Sequence, residues 1–205
     1  MMSYDDLCLY YKGHNVKEMV IILIYVDDLI LVGSSKERIE RLKDQLSSKF
    51  EMKDLCHAQK ILGMCIIRER ERNRLMVSHN LYVEKMVSKF SMEDSKPVKI
   101  PLAGHSKFSS DQFPSLDEVT KEMEKVHYYS MVGSVMFTMV STRPNISHTI
   151  SVLNRFMSNL EKEHWLGMKW LLRFLKGILD VRLVYEKRGK SIWLEGYADS
   201  DYGAD

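Results

Sequence analysis

Two adjacent aspartates, Asp27 and Asp28, are the residues of this chain whose type and spacing point most directly to chemistry. An apolar run at residues 20–24 precedes them and another at residues 29–33 follows. Each run predicts a short buried strand, so the pair is expected at a tight turn between core strands. Carboxylates are costly to hold in such a place unless they face water or bind a cation. Mg²⁺ suits hard oxygen ligands, and a carboxylate pair on a strand–turn–strand is what a two-metal polymerase needs.

The same two residues also have a plain structural interpretation. Aspartate is common in turns because its side chain bonds to its own backbone and tolerates unusual backbone angles. On these residues alone an ordinary hairpin and a metal site both remain open, and other parts of the chain have to decide between them.

Composition narrows the class of protein. The chain has 205 residues, of which 45% are hydrophobic, and a net charge of +2, so it can form a core and has no strongly basic tail. Its three cysteines show no CxxC spacing, which indicates a reducing compartment rather than a disulfide framework or a zinc site. The N-terminus does not resemble a signal peptide, and no apolar run reaches the length of a membrane span. We therefore expect an intracellular protein that does not cross a membrane.

The first half of the chain predicts an α+β layer. Strands are predicted at residues 7–12, 20–24, 29–33, 60–67 and 75–77, and helices at residues 36–50 and 80–90. In the first helix Ile39, Leu42, Leu46 and Phe50 fall on one face, which we expect to be buried. Ser34 or Ser35 can cap its start.

The second half predicts mostly helix. Residues 95–122 contain three prolines among many polar residues and predict a long loop. One helix is predicted at residues 125–140, a second begins after a break at Thr142 to Asn145, and a third is predicted at residues 162–175. Strands are predicted at residues 182–186 and 192–197. Those last strands have no visible partners in the sequence, and three acids follow them, which we interpret as truncation.

Four cations of the last predicted helix share one face at helical spacing. They are Lys162, Lys169, Arg173 and Lys176. Such a stripe can hold the phosphates of a nucleic acid, with an affinity that falls as salt rises. An ordinary solvated helix face explains the same spacing, and both interpretations remain open here.

A series of short motifs follows one order along the chain. Among them are Tyr-Val-Asp-Asp-Leu at residues 25–29, Ile-Leu-Gly-Met at 61–64, Tyr-Ser-Met-Val-Gly-Ser at 129–134, Thr-Arg-Pro-Asn-Ile at 142–146 and Gly-Tyr-Ala-Asp-Ser-Asp at 196–201. This ordered series resembles the reverse transcriptase of copia-type LTR retrotransposons, from the middle of the polymerase to the start of RNase H. Each motif alone is weak. Their order and spacing along almost the whole chain make the resemblance specific.

The resemblance implies roles for individual residues. Asp27 and Asp28 match the paired aspartates of the palm, which would hold two Mg²⁺ ions during transfer of nucleotides from dNTPs to a primer on an RNA or DNA template. Tyr25 and Val26 match positions beside the primer end, Leu62 and Gly63 match the motif that supports the primer terminus, and Asp199 matches the first metal-binding aspartate of RNase H. The family also implies a cytoplasmic particle as the site of replication.

The same resemblance implies a division of the chain. It comprises a partial palm at residues 1–77, a thumb-like helix at 78–94, a linker at 95–122, a helical thumb and connection at 123–180, and the start of an RNase H-like domain at 181–205.

Two expected parts of the active sites are missing from this sequence. The family places a third palm aspartate well upstream of the hairpin, and further RNase H acids follow the position of Asp199. We therefore expect the chain alone to be inactive. Cys56, His57, Cys65 and Asn145 also depart from the usual family residues. A non-catalytic nucleic-acid-binding module and a degenerate copy without selected function are the alternatives.

Overall fold

The computed structural model describes residues 6–13, 15, 18–102, 127–157 and 160–187. The chain divides into two compact units, Met1–Ile61 and Leu62–Asp205. Helices and antiparallel strands occur in it together, which confirms the α+β class. The predicted strand at residues 192–197, Asp199 and most of the predicted linker lie outside the described residues. No helix in the described part of the chain is long and apolar enough to cross a membrane.

The first unit contains a three-stranded antiparallel sheet and one long helix. The strands are Leu9–Lys12 (β1), Val20–Tyr25 (β2) and Asp28–Gly33 (β3), in the order β1-β2-β3, and the helix is Lys36–Ser47 (α1). Ser35 caps the helix, because its side chain accepts a hydrogen bond from the Arg38 N–H. The two-residue strand Lys60–Ile61 (β4) ends this unit.

Burial in the first unit differs from the sequence prediction. None of its described residues is fully buried, so the prediction that β2 and β3 are buried core strands is wrong. Phe50 is 61% exposed, although the helical pattern placed it on the buried face. Helix α1 ends at Ser47, before the last turn that would have carried Phe50 over the sheet. One helix covers too little of a three-stranded sheet to close a core.

The second unit contains an antiparallel sheet in which a late strand pairs with an early one. Its strands are Met64–Glu69 (β5), Arg74–Ser78 (β6) and Leu183–Glu186 (β7). The β6–β7 register pairs Arg74 with Glu186, and the two side chains form a salt bridge of 2.9 Å. The expectation that the final strands lack partners is therefore wrong for β7, whose partner lies more than a hundred residues earlier.

Within the described residues, four helices form the hydrophobic core of the second unit. They are Asn80–Lys89 (α2), Tyr128–Thr142 (α3), Ser147–Asn154 (α4) and Lys162–Gly177 (α5). Their fully buried side chains include Val83, Met131, Val135, Leu153, Met168, Leu171 and Leu172, and Ile146 of the short 3-10 turn Pro144–Ile146 is buried with them. The predicted helices, including the one that ends near Gly177, are confirmed in this part of the chain.

The break between α3 and α4 is held by a buried arginine. Arg143 has a φ of −131° and a ψ of 57°, outside the helical region that is disfavoured for a residue before proline. Its guanidinium donates to the carbonyl oxygens of Thr142 and Ile178, both at 3.2 Å. The second bond ties the end of α3 to the residue that follows α5.

Candidate metal centre and its surroundings

The β2–β3 hairpin presents both candidate aspartates at its tip. The register pairs Tyr25 with Asp28, which leaves Val26 and Asp27 as a two-residue turn. The predicted tight turn is therefore present, but these residues are exposed and not enclosed between core strands. Of the two alternatives for these carboxylates, facing water and binding a cation, exposure satisfies the first, so burial supplies no argument for a cation here.

The turn itself adopts an unusual backbone conformation. Val26 has a φ of 51° and is 83% exposed. A positive φ at the first turn residue gives the twist that a two-residue hairpin needs, but glycine usually supplies it. In a β-branched residue the same angle costs roughly 1–2 kcal/mol, and no burial of the Val26 side chain offsets this. Backbone strain of this kind is concentrated at functional sites.

The two carboxylates are ligands of the type that a divalent metal ion prefers, but two of them are too few to hold the ion without other ligands. Neither Asp27 nor Asp28 forms an ion pair within the described residues, so their oxygens remain available. Mg²⁺ is commonly held by one or two carboxylates together with substrate phosphates. In the described ranges no cluster of three or more His, Cys, Asp or Glu side chains could hold a metal alone.

The Leu62–Gly63 segment is a left-handed turn rather than part of a continuous strand. Leu62 has a φ of 50° and Gly63 a φ of 74°, so β4 ends before them and β5 begins after them. This corrects the prediction of one strand over residues 60–67. A Cβ on Gly63 would lie 3.4 Å from the Tyr82 ring, in a conformation that side chains rarely adopt.

A buried histidine beneath this turn escaped the sequence analysis. His79 has no exposed surface, and its Nε2 lies 3.3 Å from the Leu62 carbonyl oxygen. Its Nδ1 lies 3.2 Å from the Thr142 hydroxyl. Burial and, secondarily, the positive charge of Arg143 lower the pKa of His79. Local sequence gave no signal for this residue, because its partners lie 17 and 63 positions away.

Acidification is expected to destabilise the second unit through His79. A histidine whose pKa is lowered in the folded state contributes stability above its unfolded pKa of about 6.5, and this contribution is lost as the pH falls below that value. Urea unfolding at pH 7.5 and pH 5 measures the effect, and His79→Gln should make the midpoint less dependent on pH. The matched control is His148→Gln at an exposed position of α4. A wild-type protein and a His79→Gln variant with the same pH dependence would contradict this assignment.

Half of the predicted basic stripe is engaged inside the second unit. The Arg173 Nε donates to the Lys96 carbonyl at 2.6 Å, and Lys176 Nζ donates to the carbonyls of Glu93 and Ser95. Trp170 adds a bond from its indole N–H to the Ile100 carbonyl at 2.9 Å. These contacts fasten residues 93–100 along α5.

The other two cations of the stripe are placed differently. Lys162 is exposed at the start of α5, and Lys169 Nζ lies 5.2 Å from the centre of the Trp165 ring. Neither donates to a backbone carbonyl within the described part of the chain. Their ammonium groups are therefore the two in the stripe that are not hydrogen-bonded to backbone carbonyls of the described residues.

The outer face of α3 is apolar although it is exposed. This helix contains no charged residue, and one side of it packs into the core. The opposite side carries Tyr129, Gly133, Met136, Phe137 and Val140, which we call the outer face of α3. A Cβ on Gly133 would meet no atom within 4 Å, so no contact in the described structure requires glycine there. Glycine in a helix interior costs about 1 kcal/mol relative to alanine.

Comparison with known proteins identifies the family. The family described as reverse transcriptase (RNA-dependent DNA polymerase) matches residues 3–104. The chain belongs to the reverse transcriptase family of retrotransposon Pol polyproteins. No solved structure matches it significantly.

Relatives match the chain over most of its length. It is 44% identical over 205 residues to the retrovirus-related Pol polyprotein from transposon TNT 1-94 of Nicotiana tabacum, covering 100% of this chain and 15% of the relative. It is 31% identical over 189 residues to the corresponding polyprotein from transposon RE1 of Arabidopsis thaliana, covering 92% of this chain and 12% of the relative. An uncharacterized mitochondrial protein of the same plant, AtMg00810, is 30% identical over 88% of this chain and 71% of its own length. The chain thus spans a small part of the two polyproteins.

Proposed function

We propose that this chain supplies part of the palm and thumb of an RNA-directed DNA polymerase, with Asp27 and Asp28 as metal ligands. The observation that carries the proposal is the β2–β3 hairpin, whose tip presents the adjacent exposed carboxylates of Asp27 and Asp28 directly after the strained Val26. The six paired positions of the β2–β3 ladder hold that tip in a defined geometry.

Each residue of the hairpin tip has a separate task in this proposal. Asp27 lies in the turn and Asp28 begins β3, so both carboxylates project from the same end of the hairpin. When bound there, Mg²⁺ would favour the ionised primer 3′-hydroxyl and neutralise the departing pyrophosphate. Tyr25 and Val26 flank the carboxylates and would contact the primer end. The Leu62–Gly63 turn would support the primer terminus.

The duplex would lie against the outer face of α3 and the two available cations of α5. An uncharged helix with exposed aromatic and methionine side chains suits the sugars that a duplex presents along its minor groove. The open position at Gly133 allows a nucleic acid to approach the helix backbone closely. Lys162 and Lys169 would bind phosphates, whereas Arg173 and Lys176 would act indirectly by holding residues 93–100.

The remaining parts of the enzyme extend beyond these elements. We propose that a longer polyprotein supplies the third palm carboxylate and the dNTP-binding fingers, and that the chain alone is inactive. Asp199 would be the first metal ligand of RNase H. Replication in a cytoplasmic particle is the setting that the family implies.

Primer extension on an RNA template tests the metal assignment. Mg²⁺-dependent synthesis by a version extended upstream, and its loss on Asp27→Asn, would support the proposal. Synthesis that survives this substitution would contradict it.

Duplex binding by the 205-residue chain is expected to weaken in two different ways. Lys169→Ala should reduce affinity and lower the slope of log affinity against log salt by about one phosphate contact. Gly133→Leu should reduce affinity without destabilising the fold, because the new side chain points into open space. A fluorescence-anisotropy titration of an RNA–DNA duplex at several salt concentrations measures both.

Matched variants separate contact from folding in this experiment. Ser151→Leu introduces the same side chain at an exposed position of α4 and should leave affinity unchanged. Lys176→Ala should lower the unfolding midpoint and leave the salt slope close to that of the wild type, since the Lys176 ammonium group bonds to protein carbonyls. Full affinity in both Lys169→Ala and Gly133→Leu would exclude this surface.

A further inference from the structure

His79 occupies a position from which it can control the Leu62–Gly63 turn. A carbonyl oxygen can only accept, so the contact to Leu62 requires hydrogen on Nε2. Nδ1 of the neutral ring is then the acceptor for the Thr142 hydroxyl at 3.2 Å. Both bonds form in a single tautomer of the neutral imidazole, and the histidine joins the turn to the last residue of α3.

Two aromatic rings pack against the imidazole. The centres of the Tyr82 and Phe137 rings each lie 5.3 Å from the centre of the His79 ring. The Tyr82 and Phe137 rings also meet each other edge to face at 5.3 Å. The three ring centres thus form a triangle with equal sides, in which Tyr82 and Phe137 pack together against the imidazole and help to bury it completely.

The turn needs such support because its backbone is unusual. Leu62 has a φ of 50°, which is uncommon for a residue with a side chain, while Gly63 has a φ of 74° directly above Tyr82 and His79. A conformation of this kind persists when surrounding contacts determine it. The bond from His79 reaches the carbonyl of the strained residue itself.

We propose that His79 is a positioning residue that sets the Leu62–Gly63 turn relative to the C-terminal end of α3. The consequence for catalysis depends on the proposed function, in which this turn supports the primer terminus. A shift of α3 upon duplex binding would then reach the turn through Thr142 and His79. A histidine that merely fills the core would have no such effect.

Backbone NMR of the 205-residue chain tests the positioning without any activity. His79→Phe keeps an aromatic ring but removes both bonds, whereas His79→Gln retains a donor for the Leu62 carbonyl. We expect His79→Phe to move the carbonyl carbon shift of Leu62 and to speed amide exchange around Gly63 about tenfold, the effect of one net hydrogen bond. His79→Gln should restore most of both. Should His79→Phe not fold, Thr142→Val removes only the hydroxyl that holds Nδ1 and permits the same comparison.

The outcomes distinguish this inference from the proposed function. Unchanged signals for residues 62–64 in His79→Phe would overturn the positioning role, whatever the chain's activity. In an active version extended upstream, the same variant should raise the KM for primer about tenfold with a smaller change in kcat. A positioning effect by NMR together with a wild-type extended version that synthesises no DNA would leave the role of His79 intact and reject the polymerase assignment.

Discussion

Replacing Asp27 by asparagine in a version of the chain extended upstream is expected to reduce primer extension by on the order of a thousandfold or more. A metal ion supplies several kcal/mol of transition-state charge stabilisation, and each 1.4 kcal/mol corresponds to a factor of ten in rate. Asparagine keeps the size and turn preference of aspartate but removes the negative charge. The hairpin should therefore form normally while metal binding fails. Single-turnover extension at saturating Mg²⁺ measures this loss.

A second aspartate of the same unit provides the control for this substitution. Asp44 lies on the exposed surface of α1, and Asp44→Asn removes the same charge away from the hairpin tip. We expect its extension rate to stay within a factor of two of the wild type. Equal losses in Asp27→Asn and Asp44→Asn would show that general charge, and not a metal site at the hairpin, determines activity.

Truncating Leu172 to alanine is expected to destabilise the second unit by about 2–5 kcal/mol. Leu172 is 0% exposed within the cluster of α2, α3, α4 and α5. Removing three carbons there loses apolar burial and leaves a cavity that the surrounding helices only partly fill. Urea unfolding followed by circular dichroism measures the change in the free energy of unfolding.

The same helix contains a matched leucine at its surface. Leu166 is 52% exposed, and Leu166→Ala should change the free energy of unfolding by about 0.5 kcal/mol or less. Similar losses for Leu166→Ala and Leu172→Ala would contradict the packing described for α5.

Local sequence patterns were sufficient for the helices of the second unit. The apolar spacing of α4 and α5 repeats with the helical period, α3 is an apolar segment rich in methionine, and Pro144 marks the break between α3 and α4. A tight turn at the aspartate pair was also predictable, because apolar runs of similar length flank it, although the structure forms the turn from Val26 and Asp27 and places Asp28 in β3. These features depend on neighbours within a few residues.

Periodicity does not reveal what covers a predicted face. The pattern correctly groups Ile39, Leu42 and Leu46 on one side of α1, yet Phe50 is exposed and no described residue of that unit is fully buried. Burial depends on the number of layers that pack together. That number cannot be derived from one element.

Contacts between residues far apart in the sequence were the second feature that local patterns could not predict. The pairing of β7 with β6, the bonds from Arg173 and Lys176 to residues 93–96, and the contacts of His79 all join distant parts of the chain. The stripe on α5 therefore contains two kinds of cation: Arg173 and Lys176 bond to residues 93–96, whereas Lys162 and Lys169 do not. Their helical spacing in the sequence is the same as that of a single continuous basic surface. Only the tertiary contacts show which of these cations bond to the protein itself.

The most direct test of the polymerase assignment joins the segment that precedes the matching region in the Nicotiana tabacum relative to Met1 of this chain. Extension of a DNA primer on an RNA template is then measured in Mg²⁺ for the joined version and for the 205-residue chain alone. We expect extended primer only from the joined version, and none when that version carries Asp27→Ala. Synthesis by the 205-residue chain alone, or by the joined version despite Asp27→Ala, would contradict the assignment of an incomplete metal site to this hairpin.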